Sequence, residues 1–215
     1  MKVKQISEHI WSLRTWMIIP LHVWLVKDDE GLTLVDAGIS SMAKGILKTI
    51  KGLDAGPLQR ILLTHGHSDH VGAIKGILGE KEVPVFAHSI EIPYMEGELP
   101  YPGRKKAAVS VSKHLAQALP MTEQGGLTPY LTPGHSPGHV VYYHEKDGVL
   151  LAGDLFTSKN GKLKRPMPMF TANMNEAIKS SELLRDLNPK HLEVCHGEPV
   201  FNPAEQLDEY LRINR

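Results

Sequence analysis

The sequence predicts an α/β protein in which two mixed β-sheets lie between layers of helices. The first observation is an alternation of strand and helix patterns over residues 21–87, which is typical of a sheet that is partly parallel and covered by helices. The second is that strand patterns return after residue 126 and again alternate with helices. The two halves follow one plan without a repeated sequence, so we expect a sandwich of two mixed sheets.

The first half begins with strands. Residues 2–27 are rich in β-branched and aromatic residues, and the polar cluster at 28–31 turns the chain into a further strand that ends in the run VDAG. Apolar positions at helical spacing then predict a helix from residue 41 to Gly52, with Ser40 or Ser41 as its N-cap.

A short buried strand at residues 60–64 leads into a histidine-rich turn and then into a helix that Gly79 ends. A strand at residues 83–87 follows. The Pro, Gly and Tyr content of residues 89–126 indicates a surface excursion, within which KKAAVSVSKHLAQAL, residues 105–119, predicts a helix.

The second half carries four short strand patterns, at residues 128–132, 139–145, 149–153 and 191–195. A loop leads to a helix opened by Asn173 with Glu176 three residues later, which is the spacing of a capping box. The last helix is predicted to open at Asn202 and Pro203, because proline suits the first helical position.

Composition and charge exclude several classes of protein. The length of 215 residues predicts a single domain over 1–215, and 41% hydrophobic with 22% charged residues is typical of a globular chain. Lys plus Arg equals Asp plus Glu at 24 each, which does not indicate a nucleic-acid partner. The longest apolar stretch, residues 16–26, is too short to span a membrane, and no signal peptide is readable, so we expect a cytoplasmic protein.

The segment THGHSDHVG places four candidate metal ligands within six residues, between a buried strand and a helix: His65, His67, Asp69 and His70. Side chains two apart in an extended run share a side, and the first turn of the helix can bring the other two back toward them. Each residue alone can be explained as a helix cap or a polar loop residue. Their density instead predicts binding of zinc, iron, manganese or cobalt.

Three further candidates follow later strands: His135, Asp154 and His196. The carboxyl ends of strands in open α/β sheets border the functional crevice, so we expect these side chains to meet the histidine-rich turn. Seven ligands exceed what one ion takes, and zinc usually takes four. The sequence therefore predicts two divalent metal ions, with zinc first and iron or manganese as the alternatives.

The runs TLVDAG, THGHSDHVG, TPGHSPGH, VLLAGD and VCHG, in this order over residues 33–197, resemble the metallo-β-lactamase fold superfamily. The resemblance implies a four-layer αββα sandwich, which refines the two-sheet prediction above. It also implies that Asp36, the aspartate of VDAG, lies beside the metal site and orients a ligand imidazole.

The resemblance further implies how the ligands divide. One metal is held by His65, His67 and His135. The other is held by Asp69, His70 and His196, and Asp154 bridges the two. Asp69 and Asp154 are the carboxylates expected to carry a proton during catalysis.

Other residues are expected to lie outside this site. His139 opens a strand, and Cys195, the only cysteine, precedes His196 in a strand where successive side chains point to opposite faces, so we expect a buried structural thiol. Six more histidines have no partner at ligand spacing and are expected on the surface or in the core: His9, His22, His88, His114, His144 and His191.

A serine-hydrolase elbow is an alternative interpretation of residues 134–138, which spell G-x-S-x-G around Ser136. That elbow needs a helix after the serine, whereas the next residues alternate as a strand does. It also leaves the histidine-rich turn unexplained.

The expected activity is hydrolysis of an ester, lactone or thioester by a hydroxide that bridges two metal ions. The expected substrate is a small molecule with an apolar portion, because Met and aromatic residues fill the loops near the strand ends. Two alternatives stay open: an iron-dependent thiol or persulfide dioxygenase with one iron, and a metal-binding protein without turnover.

Overall fold

The structure is a computed structural model and describes residues 1–214. Its strands are β1 Lys2–Gln5, β2 Ile10–Trp16, β3 Pro20–Lys27, β4 Leu32–Val35, β5 Leu58–Leu62, β6 Val85–Ala87, β7 Ala116–Ala118, β8 Thr128–Leu131, β9 Val140–His144, β10 Val149–Leu151, β11 Thr157–Lys159, β12 Lys162–Lys164, β13 His191–Glu193 and β14 Val200–Phe201. Its α-helices are α1 Ala43–Gly52, α2 Ser68–Val71, α3 Ile74–Leu78, α4 Ile92–Met95, α5 Met174–Ser180, α6 Leu183–Leu187 and α7 Leu207–Asn214. Short 3-10 turns lie at Ser40–Met42, Pro168–Phe170 and Pro203–Gln206.

Two mixed sheets form the centre of the molecule. The first sheet has seven strands in the order β1 to β7 and is antiparallel from β1 to β4 and parallel from β4 to β7. The second has five strands in the order β14-β13-β10-β9-β8, with β10 and β13 parallel and the other neighbours antiparallel. The strands β11 and β12 form a separate hairpin.

Alternating side chains of the second sheet enter two different hydrophobic clusters. Val140 and Tyr142 pack with the first sheet and with α1 and α3, whereas Val141 packs with α5, α6 and α7. In β10, Leu151 faces the first cluster and Leu150 the second. Because successive strand residues point to opposite faces, the second sheet lies between the first sheet and a helical layer. The predicted four-layer αββα sandwich is confirmed.

The helix predicted over residues 105–119 is wrong. Residues 105–115 contain no regular element, and the chain then pairs with the edge of the first sheet as β7. His114 has a φ of 61°, in the left-handed region that a helix does not use, and its N–H donates to the Glu96 carboxylate. Pairing with β6 and this side-chain contact outweigh the helical preference of the alanines, leucines and lysines.

The start of α1 also differs from the prediction, because neither Ser40 nor Ser41 caps it. The two serines form a 3-10 turn, and no side chain hydrogen-bonds the first turn of α1. The predicted cap of α5 is confirmed: the Asn173 side chain accepts a hydrogen bond from the Glu176 backbone N–H at 3.2 Å. Among residues 1–214, no helix has the length and apolar character needed to cross a membrane.

Candidate metal centre

Strand direction brings the candidate ligands to one edge of the sandwich. Strands β8 and β10 both run antiparallel to β9, and β13 runs parallel to β10, so the carboxyl ends of β8, β10 and β13 lie at the same edge. His135, Asp154 and His196 follow these three ends within a few residues. The histidine-rich turn follows β5 of the first sheet and meets them there.

The first cluster consists of His65, His67 and His135. Nε2 of His65 lies 2.9 Å from Nδ1 of His67, and Nε2 of His135 lies 3.1 Å from the same nitrogen. His65 and His135 are buried, and His67 is partly buried. One nitrogen from each ring therefore points at one small volume, which suits a tetrahedral ion with imidazole ligands.

The second cluster consists of His70, Asp154 and His196, and Cys195 lies with them. Donor atoms of these four residues all lie within 4.8 Å of one another. Asp69 adjoins the cluster, because its Oδ2 accepts a hydrogen bond from Nε2 of His196 at 3.1 Å. All seven residues that the sequence predicts are therefore brought together in two adjoining groups.

Asp154 contacts both clusters. Its Oδ2 lies 3.4 Å from Nε2 of His135 and 3.6 Å from Nε2 of His196, while its Oδ1 lies 3.5 Å from Nε2 of His70. The backbone N–H of Asp154 donates to Nε2 of His139 at 3.2 Å, which occupies that nitrogen and keeps His139 outside both clusters, as predicted. One carboxylate thus faces both groups of imidazoles.

The electrostatic environments of the clusters differ. Burial lowers the pKa of His67 and of His135 to about 4, and burial together with the neighbouring imidazoles lowers that of His65 well below its usual range. These three rings are neutral near pH 7 and present lone pairs. Neutral imidazole is the form that binds a metal.

In the second cluster, charged neighbours oppose the effect of burial. Burial lowers the pKa of His196, but electrostatic interactions with Cys195 and Asp154 outweigh it and raise the pKa to about 11. Burial raises the pKa of Asp69, but His70 and His196 outweigh it and lower the pKa to about 2. The second cluster therefore favours a bound positive charge, which a proton or a metal ion supplies.

Two buried atoms without a hydrogen-bond partner show whether a metal ion fits the second cluster. Nε2 of His70 and Oδ1 of Asp154 are buried and have no hydrogen-bond partner. A buried polar atom without a partner costs about 1–3 kcal/mol, and two such atoms face each other here. A cation between an imidazole nitrogen and a carboxylate oxygen satisfies both, so the residues fit a divalent metal ion.

Outer hydrogen bonds fix the orientation of four of the five candidate imidazoles. His70 Nδ1 donates to Oδ2 of Asp36 at 2.7 Å, and His196 Nδ1 donates to the Pro20 carbonyl at 3.0 Å. His65 Nδ1 and His135 Nδ1 lie 3.1 and 3.3 Å from the hydroxyls of Thr64 and Thr171. Such partners turn the opposite nitrogen toward a metal and hold the ring tautomer.

Asp36 lies beside the site, where the resemblance places it. Its carboxylate accepts hydrogen bonds from the backbone N–H and the hydroxyl of Thr64, both at 2.8 Å, as well as from His70. Its φ is 57°, a left-handed conformation that Asp and Asn tolerate better than most residues. Asp36 therefore ties β4 to the histidine-rich turn.

We expect Asp36→Asn to lower metal affinity about 10- to 100-fold while the protein stays folded. The NH₂ group of the asparagine would face one of the groups that now donate a hydrogen bond to the Asp36 carboxylate. His70 would then lose its fixed orientation. Titration against a competing chelator measures the affinity. Glu193→Gln is the matched control, because Glu193 accepts from His191 and Trp24 outside both clusters. Equal affinities in the two variants would contradict this role for Asp36.

Glu91 is a site residue that the sequence analysis missed. Its buried carboxylate accepts four hydrogen bonds, from Gly66 N–H at 3.0 Å, Tyr101 OH at 2.7 Å, and Ser136 OH and Gly138 N–H at 2.8 Å each. It thereby joins the histidine-rich turn to the loop that carries His135. The contact to Ser136 also shows that this hydroxyl faces a carboxylate rather than a histidine, which counts against a serine elbow.

The orientation of Cys195 also differs from the prediction. The expectation that its side chain points away from His196 is wrong, because β13 ends at Glu193 and strand alternation ends with it. Its side chain is fully buried and lies in the second cluster. Five of the remaining histidines have polar partners. His9 pairs with Asp147 at 2.7 Å, His22 with Ser12 at 2.8 Å and His191 with Glu193 at 2.8 Å. Nδ1 of His144 accepts from the Asp147 N–H at 3.3 Å, and Nδ1 of His88 accepts from the Ile90 N–H at 3.2 Å.

Comparison with known proteins identifies the family. The sequence profile of the metallo-beta-lactamase superfamily matches residues 20–196. The chain belongs to the metallo-beta-lactamase superfamily. A member from Bacillus subtilis (strain 168), named "Probable metallo-hydrolase YybB", is 38% identical over 98% of each chain. The protein described here is accordingly a metal-dependent hydrolase of this superfamily.

Solved structures of the metallo-beta-lactamase fold agree with the architecture. The metallo-beta-lactamase family protein TTHA1429 from Thermus thermophilus superposes with a TM-score of 0.73 at 22% identity and covers 97% of this chain and 80% of its own. TTHA1623, solved in a di-iron-bound form, superposes with a TM-score of 0.68 at 26% identity over 87% of this chain and 92% of its own.

Proposed function

We propose that this metallo-beta-lactamase superfamily member hydrolyses an ester, lactone or thioester of a small molecule with two divalent metal ions. The observation that carries the proposal is the contact of Asp154 with both imidazole clusters. A carboxylate that faces two separate groups of imidazole ligands is the arrangement expected of a shared ligand. The di-iron form of TTHA1623 supports the same number of ions, and zinc, iron and manganese all suit the ligand set.

The two carboxylates of the site are suited to different tasks. When bound, the ions would supply Lewis acidity and lower the pKa of a coordinated water to about 7. The Asp154 side chain is 7% exposed and touches imidazoles on both sides, so it holds the two halves of the centre together. The Asp69 side chain is 29% exposed, so we assign it the transfer of a proton between the reacting group and solvent.

Exposed apolar side chains lie in two segments whose neighbouring residues contact the centre. Trp16 at the end of β2 and Ile18 in the turn to β3 are 62% and 91% exposed. This segment contacts the site through Pro20, whose carbonyl accepts a hydrogen bond from His196. The 3-10 turn with Met169, which is 73% exposed, reaches it through the contact of Thr171 with His135. Exposed apolar groups of this size beside a site favour a substrate with an apolar portion.

We therefore expect catalytic efficiency to rise with acyl chain length. Each buried CH₂ contributes about 0.8 kcal/mol, so four added carbons raise kcat/KM by up to about 200-fold. A series of esters and lactones of increasing length measures this. A flat response would contradict a substrate with an apolar portion and direct attention to Lys162, Lys164 and Arg165 as anchors for an anionic substrate.

A substrate panel with metal removal tests the activity itself. We expect turnover of at least one ester, lactone or thioester, loss of that turnover on treatment with a chelator, and recovery when divalent metal is added back. A serine-directed phosphonate is expected to have no effect. Oxygen consumption on a thiol substrate by protein holding a single iron would favour the dioxygenase, and metal binding without turnover across the panel would overturn the proposal.

A further inference from the structure

The backbone of Cys195 is held from both sides at the junction of the two sheets. Its N–H donates to the carbonyl of Gly153 at 2.9 Å, and its carbonyl accepts from the N–H of His22 in β3 at 3.1 Å. Gly153 directly precedes Asp154 and has a φ of 50°, and a Cβ there would lie 2.9 Å from the Thr64 side chain. These contacts fix the thiol close to Asp154.

The side chain of Cys195 shares a buried volume with three candidate metal ligands. Its Sγ lies within 4.8 Å of donor atoms of His70, Asp154 and His196. The residue has no exposed surface. His70 and Asp154, whose Nε2 and Oδ1 atoms have no hydrogen-bond partner and lie 3.5 Å apart, belong to the same group of residues.

Sulfur in this position completes a set of ligands around one point. A thiolate, an imidazole from each of two histidines and a carboxylate are all common donors to zinc and iron, and a coordinating thiol is deprotonated by the metal. A thiol that only fills space in the core does not require these donors beside it. It would also leave Nε2 of His70 and Oδ1 of Asp154 without a partner.

We propose that Cys195 is a ligand of the second metal ion and binds through Sγ beside His70, Asp154 and His196. The proposal rests on the proposed dinuclear centre and extends it from seven ligands to eight. Soft thiolate donors select zinc, iron or cobalt over manganese or magnesium. The second site is therefore expected to discriminate against manganese and magnesium more strongly than the first site does. The first site has only imidazole ligands and the shared Asp154 carboxylate.

The absorption spectrum of bound cobalt(II) shows directly whether a thiolate is one of its ligands. We suggest removing the metals from the full chain under reducing, oxygen-free conditions, reloading it with cobalt(II) and recording its absorption spectrum. The expected result is a sulfur-to-cobalt charge-transfer band in the near ultraviolet, in addition to the visible bands of bound cobalt. Cys195 is the only cysteine, so a thiolate band has one possible origin.

Cys195→Ser and Cys195→Ala provide the comparison. Both are expected to keep visible cobalt bands but to lose the charge-transfer band, and to bind the second ion at least about 10-fold more weakly. Visible cobalt bands in the unmodified protein without a thiolate band would overturn the role of Cys195 and leave the metal centre intact. No uptake of cobalt would overturn the metal centre itself. The spectrum of the unmodified protein decides the matter even if a variant fails to fold.

Discussion

Asp154→Ala is expected to abolish most hydrolytic activity and to remove at least one metal ion per chain. The carboxylate faces both clusters, so its loss removes the negative charge between the two cations, increases their mutual repulsion and weakens both sites. We expect a fall in kcat/KM of more than about 100-fold, which exceeds the usual effect of losing an outer hydrogen-bonding partner. Kinetics and metal content of the same preparation measure the two effects together.

Asp147→Ala is the matched control for this experiment. Asp147 is also a carboxylate paired with a histidine, His9, but it lies in the turn between β9 and β10, away from the centre. It is expected to keep both metals at the centre and nearly full activity. His67→Ala should empty the first cluster before the second. Full turnover and unchanged metal content in Asp154→Ala would contradict a shared ligand.

Glu91→Gln is expected to lower the free energy of unfolding by about 3 kcal/mol and to reduce activity as well. The carboxylate accepts four hydrogen bonds in a buried position, and a glutamine would turn its NH₂ toward at least one of those donors. The loop of His135 and the histidine-rich turn would then lose their common anchor. Chemical denaturation of the metal-free protein measures the stability without a contribution from bound metal.

Glu96→Gln is the control for Glu91. Glu96 is also buried, directly after α4, but the structure gives its carboxylate one backbone donor, the N–H of His114. Its replacement is expected to cost about 1 kcal/mol, as for one ordinary hydrogen bond, and to leave kcat unchanged. Equal losses of stability and activity in the two variants would show that Glu91 has no particular role at the site.

The sequence predicts the candidate centre well, because four of the candidate ligands lie close together in the chain and the other three follow the ends of strands. His65, His67, Asp69 and His70 share one turn, and strand direction brings the other three to the same edge. The alternation of strands and helices also predicts the two sheets, because an element that is buried on one face or on both has a characteristic spacing of apolar residues.

The parts that the sequence does not predict depend on contacts between distant segments. Glu91 belongs to no motif, and its role arises from donors that are 25 and 47 positions away. The direction of Cys195 depends on where β13 ends, and strand ends are poorly defined by local pattern. Residues 116–118 form a strand only because the edge of β6 is available to them.

Metal content is the most direct test of the dinuclear centre. Elemental analysis of protein that has been saturated with zinc and then freed of unbound metal is expected to give two ions per chain. In parallel, Asp154→Ala is expected to give one or fewer. A single ion in the saturated unmodified protein, with no further loss in Asp154→Ala, would contradict the account that two clusters share one carboxylate.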